Sequence, residues 1–106
     1  MALEKGFTDE SGVEHPQAYW LVRRVRLDFD MNVADILFRC WHNADAEAAG
    51  MAPLARTVTM RIAPTAQDGL PSFETVAIQL ELKAGARAYL YSLAKTLPEL
   101  AGSVDV

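Results

Sequence analysis

The chain has 106 residues, 51% of them hydrophobic, and a formal net charge of −4. It is long enough for one domain with a real core and too apolar for global disorder, and its negative balance argues against non-specific polyanion binding by the whole molecule. A lone cysteine, Cys40, excludes an intrachain disulfide framework. No apolar run approaches the ~20 residues that span a bilayer, and no basic start followed by an apolar stretch marks a signal peptide. The expectation is a protein made and folded in a reducing cytoplasm.

Residues 1–17 are acidic and turn-rich, and they predict a short hairpin or an arm. "LEKGF" suits a short strand. In "TDESG", Asp and Ser bond their own backbone and Gly12 accepts a positive φ. Pro16 has no N–H to donate, so it belongs before the next strand or at an edge. An antiparallel sheet is predicted over 18–82. Residues 18–29 alternate, with Tyr19, Leu21, Arg23, Val25, Leu27 and Phe29 on one side and Trp20, Val22, Arg24, Arg26 and Asp28 on the other. In 33–42 the apolar set is Ala34, Ile36, Phe38 and Cys40.

Between these runs "DMN" reads as a turn. A two-residue loop at Asp30 and Met31 sets Val25 opposite Ile36, Leu27 opposite Ala34, Arg26 opposite Asp35 and Trp20 opposite Trp41. Opposed charges and aromatics are each worth about 0.2–1 kcal/mol. Moving the loop one residue sets Arg24 against Arg39 and Asp28 against Asp35, which is worse. Against the preferred register, Asp-Met is a poor type I′ pair and Asn32 is the better positive-φ residue.

Residues 43–53 hold either one helical turn that stops at Gly50 or a loop. In 54–63, Val58, Met60 and Ile62 alternate with Thr57, Thr59 and Arg61, a third strand rich in β-branched residues. In 73–82, Val76, Ile78, Leu80 and Leu82 alternate with Thr75, Ala77, Gln79 and Glu81, which predicts a fourth. From 84 to 97 the period changes. Ala86, Tyr89, Leu90, Leu93, Ala94 and Leu97 make a helical stripe, with Lys95 in the last turn and Pro98 as a stop near Thr96 or Leu97. The predicted fold is α+β: an antiparallel meander of four to five strands with one C-terminal amphipathic helix on its apolar face.

Few residues suggest chemistry. In the preferred register Arg24 and Arg26 share a face with Asp28 and Asp35, with Arg39 a further candidate for it, while Arg23 points to the other face. A solvated charged surface is therefore the first reading, and a nucleic-acid grip the minor one. Arg23 interrupts an apolar face, so it needs a carboxylate partner or a place at the sheet end with its head in water. Trp20 and Trp41 on the polar face are either a contact surface or covered by a loop or the N-terminal arm. Cys40 and His42 leave the same face of a strand. With His15 the only other histidine, a four-ligand zinc site is unsupported, and a core cysteine beside a surface histidine is the simpler expectation. No P-loop, G-x-G-x-x-G, H-E-x-x-H, G-x-S-x-G or calcium-loop spacing is present.

The two ends of the chain carry a likeness. "MALEKGFTDESGVEHPQAYWLVRRV" resembles the opening of small structural proteins encoded among the tail genes of tailed phages and prophages, and "AYLYSLAKTLPELAGSVDV" resembles their closing helix. The strong pattern at 73–82 departs from the alanine-rich stretch expected there. The resemblance implies a non-enzymatic virion or tail-assembly component, made in the host cytoplasm. It implies contacts with copies of itself and with neighbouring tail proteins, and no cofactor, nucleic acid, membrane or small-molecule substrate. The residues offered for those contacts are Trp20, Trp41, Arg24 and Arg26, with an open sheet edge that another copy completes. The alternative is a small-molecule-binding domain or enzyme with a pocket between helix and sheet near Arg23, Cys40 and His42.

Overall fold

The two alternating runs after Pro16 become the longest strands. The computed structural model describes residues 2–67, 69–81 and 85–106. Strands β1 (Leu3–Glu4), β2 (Phe7–Thr8) and β3 (Glu14–His15) lead to β4 (Tyr19–Asp28) and β5 (Val33–Trp41). Helix α1 (Ala44–Ala48) and strand β6 (Thr57–Ile62) follow, then helices α2 (Phe73–Glu81) and α3 (Ala86–Ala94), and last β7 (Val104–Asp105). One antiparallel sheet has the order β6-β5-β4-β1-β7, and β2 pairs with β3 in a separate hairpin. The coarse expectation of α+β with an antiparallel sheet is met.

The β4–β5 register is the expected one from Arg24 to Asp28: Val25 faces Ile36, Arg26 faces Asp35 and Leu27 faces Ala34. The connection is longer than two residues. It spans 29–32, with Asp28 Oδ1 accepting from the amides of Asp30 and Met31. Asn32 takes φ 54°, so the preferred register and the preferred positive-φ residue coexist.

Beyond Arg24 the pairing slips at a β-bulge between Val22 and Arg24. Val22 then faces Phe38, Trp20 faces Cys40 and Tyr19 faces Trp41, which corrects the expected Trp20–Trp41 pair. One extra residue exchanges the two faces of a strand. The inner set is therefore Trp20 and Val22 before the bulge, and Val25 and Leu27 after it. Arg23 no longer interrupts an apolar face, because it is the bulge residue.

The expected strand over 73–82 is a helix, α2; Leu82, its last position, lies outside the described residues. The same residues carry a second period. Phe73, Val76 and Ala77 are buried and Leu80 is half-buried, a stripe at i, i+3, i+4 and i+7. Ser72 begins the helix: its hydroxyl lies 3.1 Å from that of Thr75 and accepts from the Thr75 amide at 3.4 Å. What decides the outcome is the bare inner face of the sheet, where Ile36, Phe38, Met60 and Ile62 need a second layer.

Helix α3 supplies the rest of that layer through Leu90, Tyr91 and Ala94. Ala84, the first position of the expected helix, lies outside the described residues. Turns follow α3, and the chain then returns as β7 beside β1, with Ala2 and Val106 exchanging backbone bonds of 3.1 Å. The expected short tail is thus an added edge strand, tied down by buried Leu100 and by a 2.8 Å ion pair from Lys95 to Asp105. The residues after Trp41 do form one short helix. Asn43 caps it by accepting from the Ala46 amide at 2.8 Å.

Candidate functional site

The outer face of the sheet gathers the arginines. Across the strands, Leu21 sits opposite Arg39 and Thr57, Arg24 opposite Leu37 and Thr59, and Arg26 opposite Asp35 and Arg61. The guanidinium of Arg23 lies 5.6 Å from the centre of the Trp41 ring, so the bulge also turns Arg23 to this side. That corrects the expectation that Arg23 and Arg24 point to opposite faces. Arg23, Arg24 and Arg26 are all exposed, and Leu21 and Leu37 are half-buried between them. Asp35 reaches Arg61 only at 4.0 Å, and the Nε of Arg39 is buried without an acceptor among the described residues.

Of the two readings of the tryptophans the covered one holds, and Trp20 lies on the inner face rather than the polar one. Trp20 is 2% exposed and Trp41 5%, so neither is a bare contact residue. Trp20 faces the core, where the N-terminal arm covers it: its indole donates to the Lys5 carbonyl at 3.0 Å, and the Phe7 ring lies 5.8 Å away. Trp41 belongs to the outer face but is roofed by the segment after α1, donating to the Met51 carbonyl at 2.8 Å. A buried indole keeps its polar N–H satisfied in this way.

The edges of the sheet differ. Strand β1 covers β4 only at Tyr19 and Trp20, and among the described residues no other strand pairs with β4 on that side. That edge carries the bulge, three exposed arginines and the Tyr91 hydroxyl, which accepts from the Val22 amide at 2.9 Å. Bulges and charges of this kind block casual strand pairing. Strand β6 has no such guard. It runs from Thr57 to Ile62 in regular register with β5, with one charge, Arg61, and no partner on its outer side among the described residues.

Arg23, Cys40 and His42 do not converge. Cys40 is fully buried, its Sγ 3.5 Å from the Arg56 carbonyl, and burial pushes its thiol up to about 11. His42 is exposed just past the end of β5. It meets a residue the sequence did not pair with it. The Nδ1 atoms of His42 and His15 lie 2.8 Å apart, and the Nε2 of His15 lies 2.9 Å from Asp9 Oδ2. Asp9 and His15, but not His42, line a cleft of about 240 Å³ together with Phe7, Ser11, Leu54 and Arg56. The distance of 27 positions along the chain between the histidines hid their contact. The signal was there in part, since His15 stands in the hairpin beside an Asx turn at Asp9. Among the described residues no group of three or more His, Cys, Asp or Glu side chains is arranged to hold a metal ion. No described helix is long and apolar enough to cross a membrane.

Compared with protein-family models, curated proteins and solved structures, the chain matches none.

Proposed function

We propose that the protein is a non-enzymatic structural component that works by adhesion, and that its copies associate head to tail. The observation that carries this reading is the uncovered outer face, where Arg23, Arg24, Arg26, Arg39 and Arg61 surround Leu21 and Leu37. In a chain of net charge −4 this face is positive, with five arginines against Asp28 and Asp35, and other acids stand elsewhere. Asp9, Glu10 and Glu14 stand on the β2–β3 hairpin, and Asp45 and Glu47 on α1. Two arginine faces repel each other, so a two-fold contact through them is disfavoured. An arginine face meeting the acidic hairpin of the next copy is favoured. Such heterologous contacts close into rings or continue as filaments. Arginine flanked by leucine suits an interface core. The unguarded β6 edge gives a second place where a neighbouring strand extends the sheet.

This reading agrees with the likeness of the two chain ends to phage and prophage tail proteins. Under it the protein is made in the host cytoplasm and acts in the virion, with neighbouring tail proteins as its other partners. It assigns no catalytic group and no cofactor.

Complementary charge reversal tests it. Arg24→Glu with Arg26→Glu inverts the face; Glu10→Lys with Glu14→Lys inverts the hairpin. Sedimentation across a concentration series is expected to show association of the native chain that weakens with salt. Each double variant alone is expected to be monomeric, and a mixture of the two to associate again. A native chain that is monomeric throughout, or variants that associate as it does, defeats the proposal. Association only on adding an oligonucleotide reassigns the face to phosphate binding.

A further inference from the structure

The Asp9–His15–His42 chain lies apart from the arginine face, and its hydrogen bonding has a property of its own. Asp9 is saturated: Oδ1 accepts from the amides of Ser11 and Val13 at 2.9 Å each, and Oδ2 faces His15. A carboxylate only accepts, so the proton between Asp9 and His15 sits on His15 Nε2. Neutral His15 then presents Nδ1 as an acceptor, and His42 donates from its own Nδ1. The contact at 2.8 Å needs one proton between the two nitrogens. One added proton is tolerated, because either ring can be the cation while the other supplies the lone pair. A second is not, because both Nδ1 atoms then carry hydrogens aimed at each other and both rings are charged.

The contact joins two parts of the fold. His15 belongs to the β2–β3 hairpin and His42 to the end of β5. The hairpin carries Phe7, which packs against both His15 at 5.1 Å and Trp20 at 5.8 Å. His15 is 6% exposed, so its two polar partners are its means of satisfaction in the closed state. A doubly charged pair is offset only in part, and its opposed Nδ1 hydrogens not at all. The hairpin contributes Asp9, whose Oδ2 lies 2.9 Å from His15 Nε2 and offsets one charge, with the exposed Glu10 and Glu14, and α1 contributes Asp45 and Glu47. The segment before β6 contributes Arg56, a like charge stacked over Phe7 at 5.6 Å. Strand β5 contributes Arg39 and the un-ionised Cys40 thiol.

We infer that His15 and His42 form an acid-released latch, which holds the N-terminal hairpin on the sheet until both imidazoles are charged and then frees it to uncover Phe7 and Trp20. Below about pH 6.5, where free imidazoles are charged, the open state binds one proton more than the closed state. Closing therefore weakens with acid over that range, by up to about tenfold per pH unit. The latch works within one copy and stands whether or not copies associate.

The two indole N–H groups report on it. Trp20 donates to Lys5 in the arm and Trp41 to Met51 outside it, so the second is an internal control. Nuclear magnetic resonance of the dilute, monomeric chain from pH 8 to pH 5 is expected to show the Trp20 indole losing its exchange protection, after correction for intrinsic rates. The Trp41 indole keeps its own. His42→Gln retains an amide that can bond to His15 but cannot charge, and it is expected to hold Trp20 protected throughout. His42 is exposed, so the variant leaves the core untouched. The ring-nitrogen shifts of the native chain give a second measure and are expected to report opposite Nδ1 protonation in the two histidines at pH 8. Trp20 protection unchanged by pH, equal loss at both indoles, or the same profile in His42→Gln overturns the latch. None of these results depends on the association assay.

Discussion

Deleting Arg23 tests the register of the central hairpin directly. Arg23 is the residue by which β4 exceeds β5: Val22 is paired with Phe38 and Arg24 with Leu37, neighbours on the opposite strand. Its removal leaves a regular ladder in which every other residue keeps its partner and face. What is lost is the guanidinium over Trp41, worth about 0.5–1 kcal/mol. The total cost is expected near 1 kcal/mol. Deleting Val25, two residues on, removes the same length of chain with a different outcome. The bulge is again consumed, but Arg24 must now stand opposite Ile36 on the inner face. Val25 is 39% exposed, so its lost burial amounts to about 1 kcal/mol. A guanidinium turned toward Leu80 and Leu90 adds about 1–3 kcal/mol. The second deletion should therefore be worse by about 2 kcal/mol, or roughly 1–2 M in a urea midpoint at the slopes usual for small domains. Equal midpoints, or a greater loss from deleting Arg23, would refute the bulge as the origin of the face exchange.

Other outcomes follow from single contacts. Tyr91→Phe removes the acceptor of the Val22 amide from a ring that is 1% exposed. It should cost about 1–3 kcal/mol in urea unfolding, the range for a buried donor left unpaired. Cys40, with its thiol pushed up to about 11, should resist thiol reagents in the native chain at pH 8 and react at the rate of unfolding, as measured by mass spectrometry against urea concentration. Bonds from His15 and then the Val13 amide hold the Asp9 carboxyl below its ordinary value. A lowered folded value means that its stabilisation is complete above the unfolded value and is lost as pH falls below about 4. In the His42→Gln chain, exchange protection of the Ser11 and Val13 amides should therefore persist at pH 5 and fall toward pH 3.

Much of the architecture is local chemistry and was legible. The alternation in 18–29, 33–42 and 54–63 fixes three strands because period two leaves one face apolar whatever lies beyond it. Gly50 and Pro98 punctuate the chain as glycine's freedom and proline's ring dictate, and the stripe from Ala86 to Ala94 has only a helical reading. Residues 73–81 have two. Phe73, Val76, Ala77 and Leu80 form a helical stripe, and Val76, Ile78 and Leu80 a strand alternation. A short apolar pattern does not choose between them. The choice belongs to the sheet, whose inner face needed a layer of helix and whose edge did not need another strand.

The bulge is likewise a tertiary decision. Arg23 is a misfit in a regular strand and a normal residue in a bulged one, and only pairing with Phe38 and Leu37 separates the two. The tryptophans were readable as large apolar side chains, but their cover comes from the arm before β2 and the segment around Met51, both brought there by the rest of the fold. The arginine face was half visible, since Arg24 and Arg26 share a side of β4 by spacing alone. The histidine latch was not, because a hydrogen bond between residues 15 and 42 depends on where a hairpin and a strand end come to rest, and periodicity carries no record of that distance.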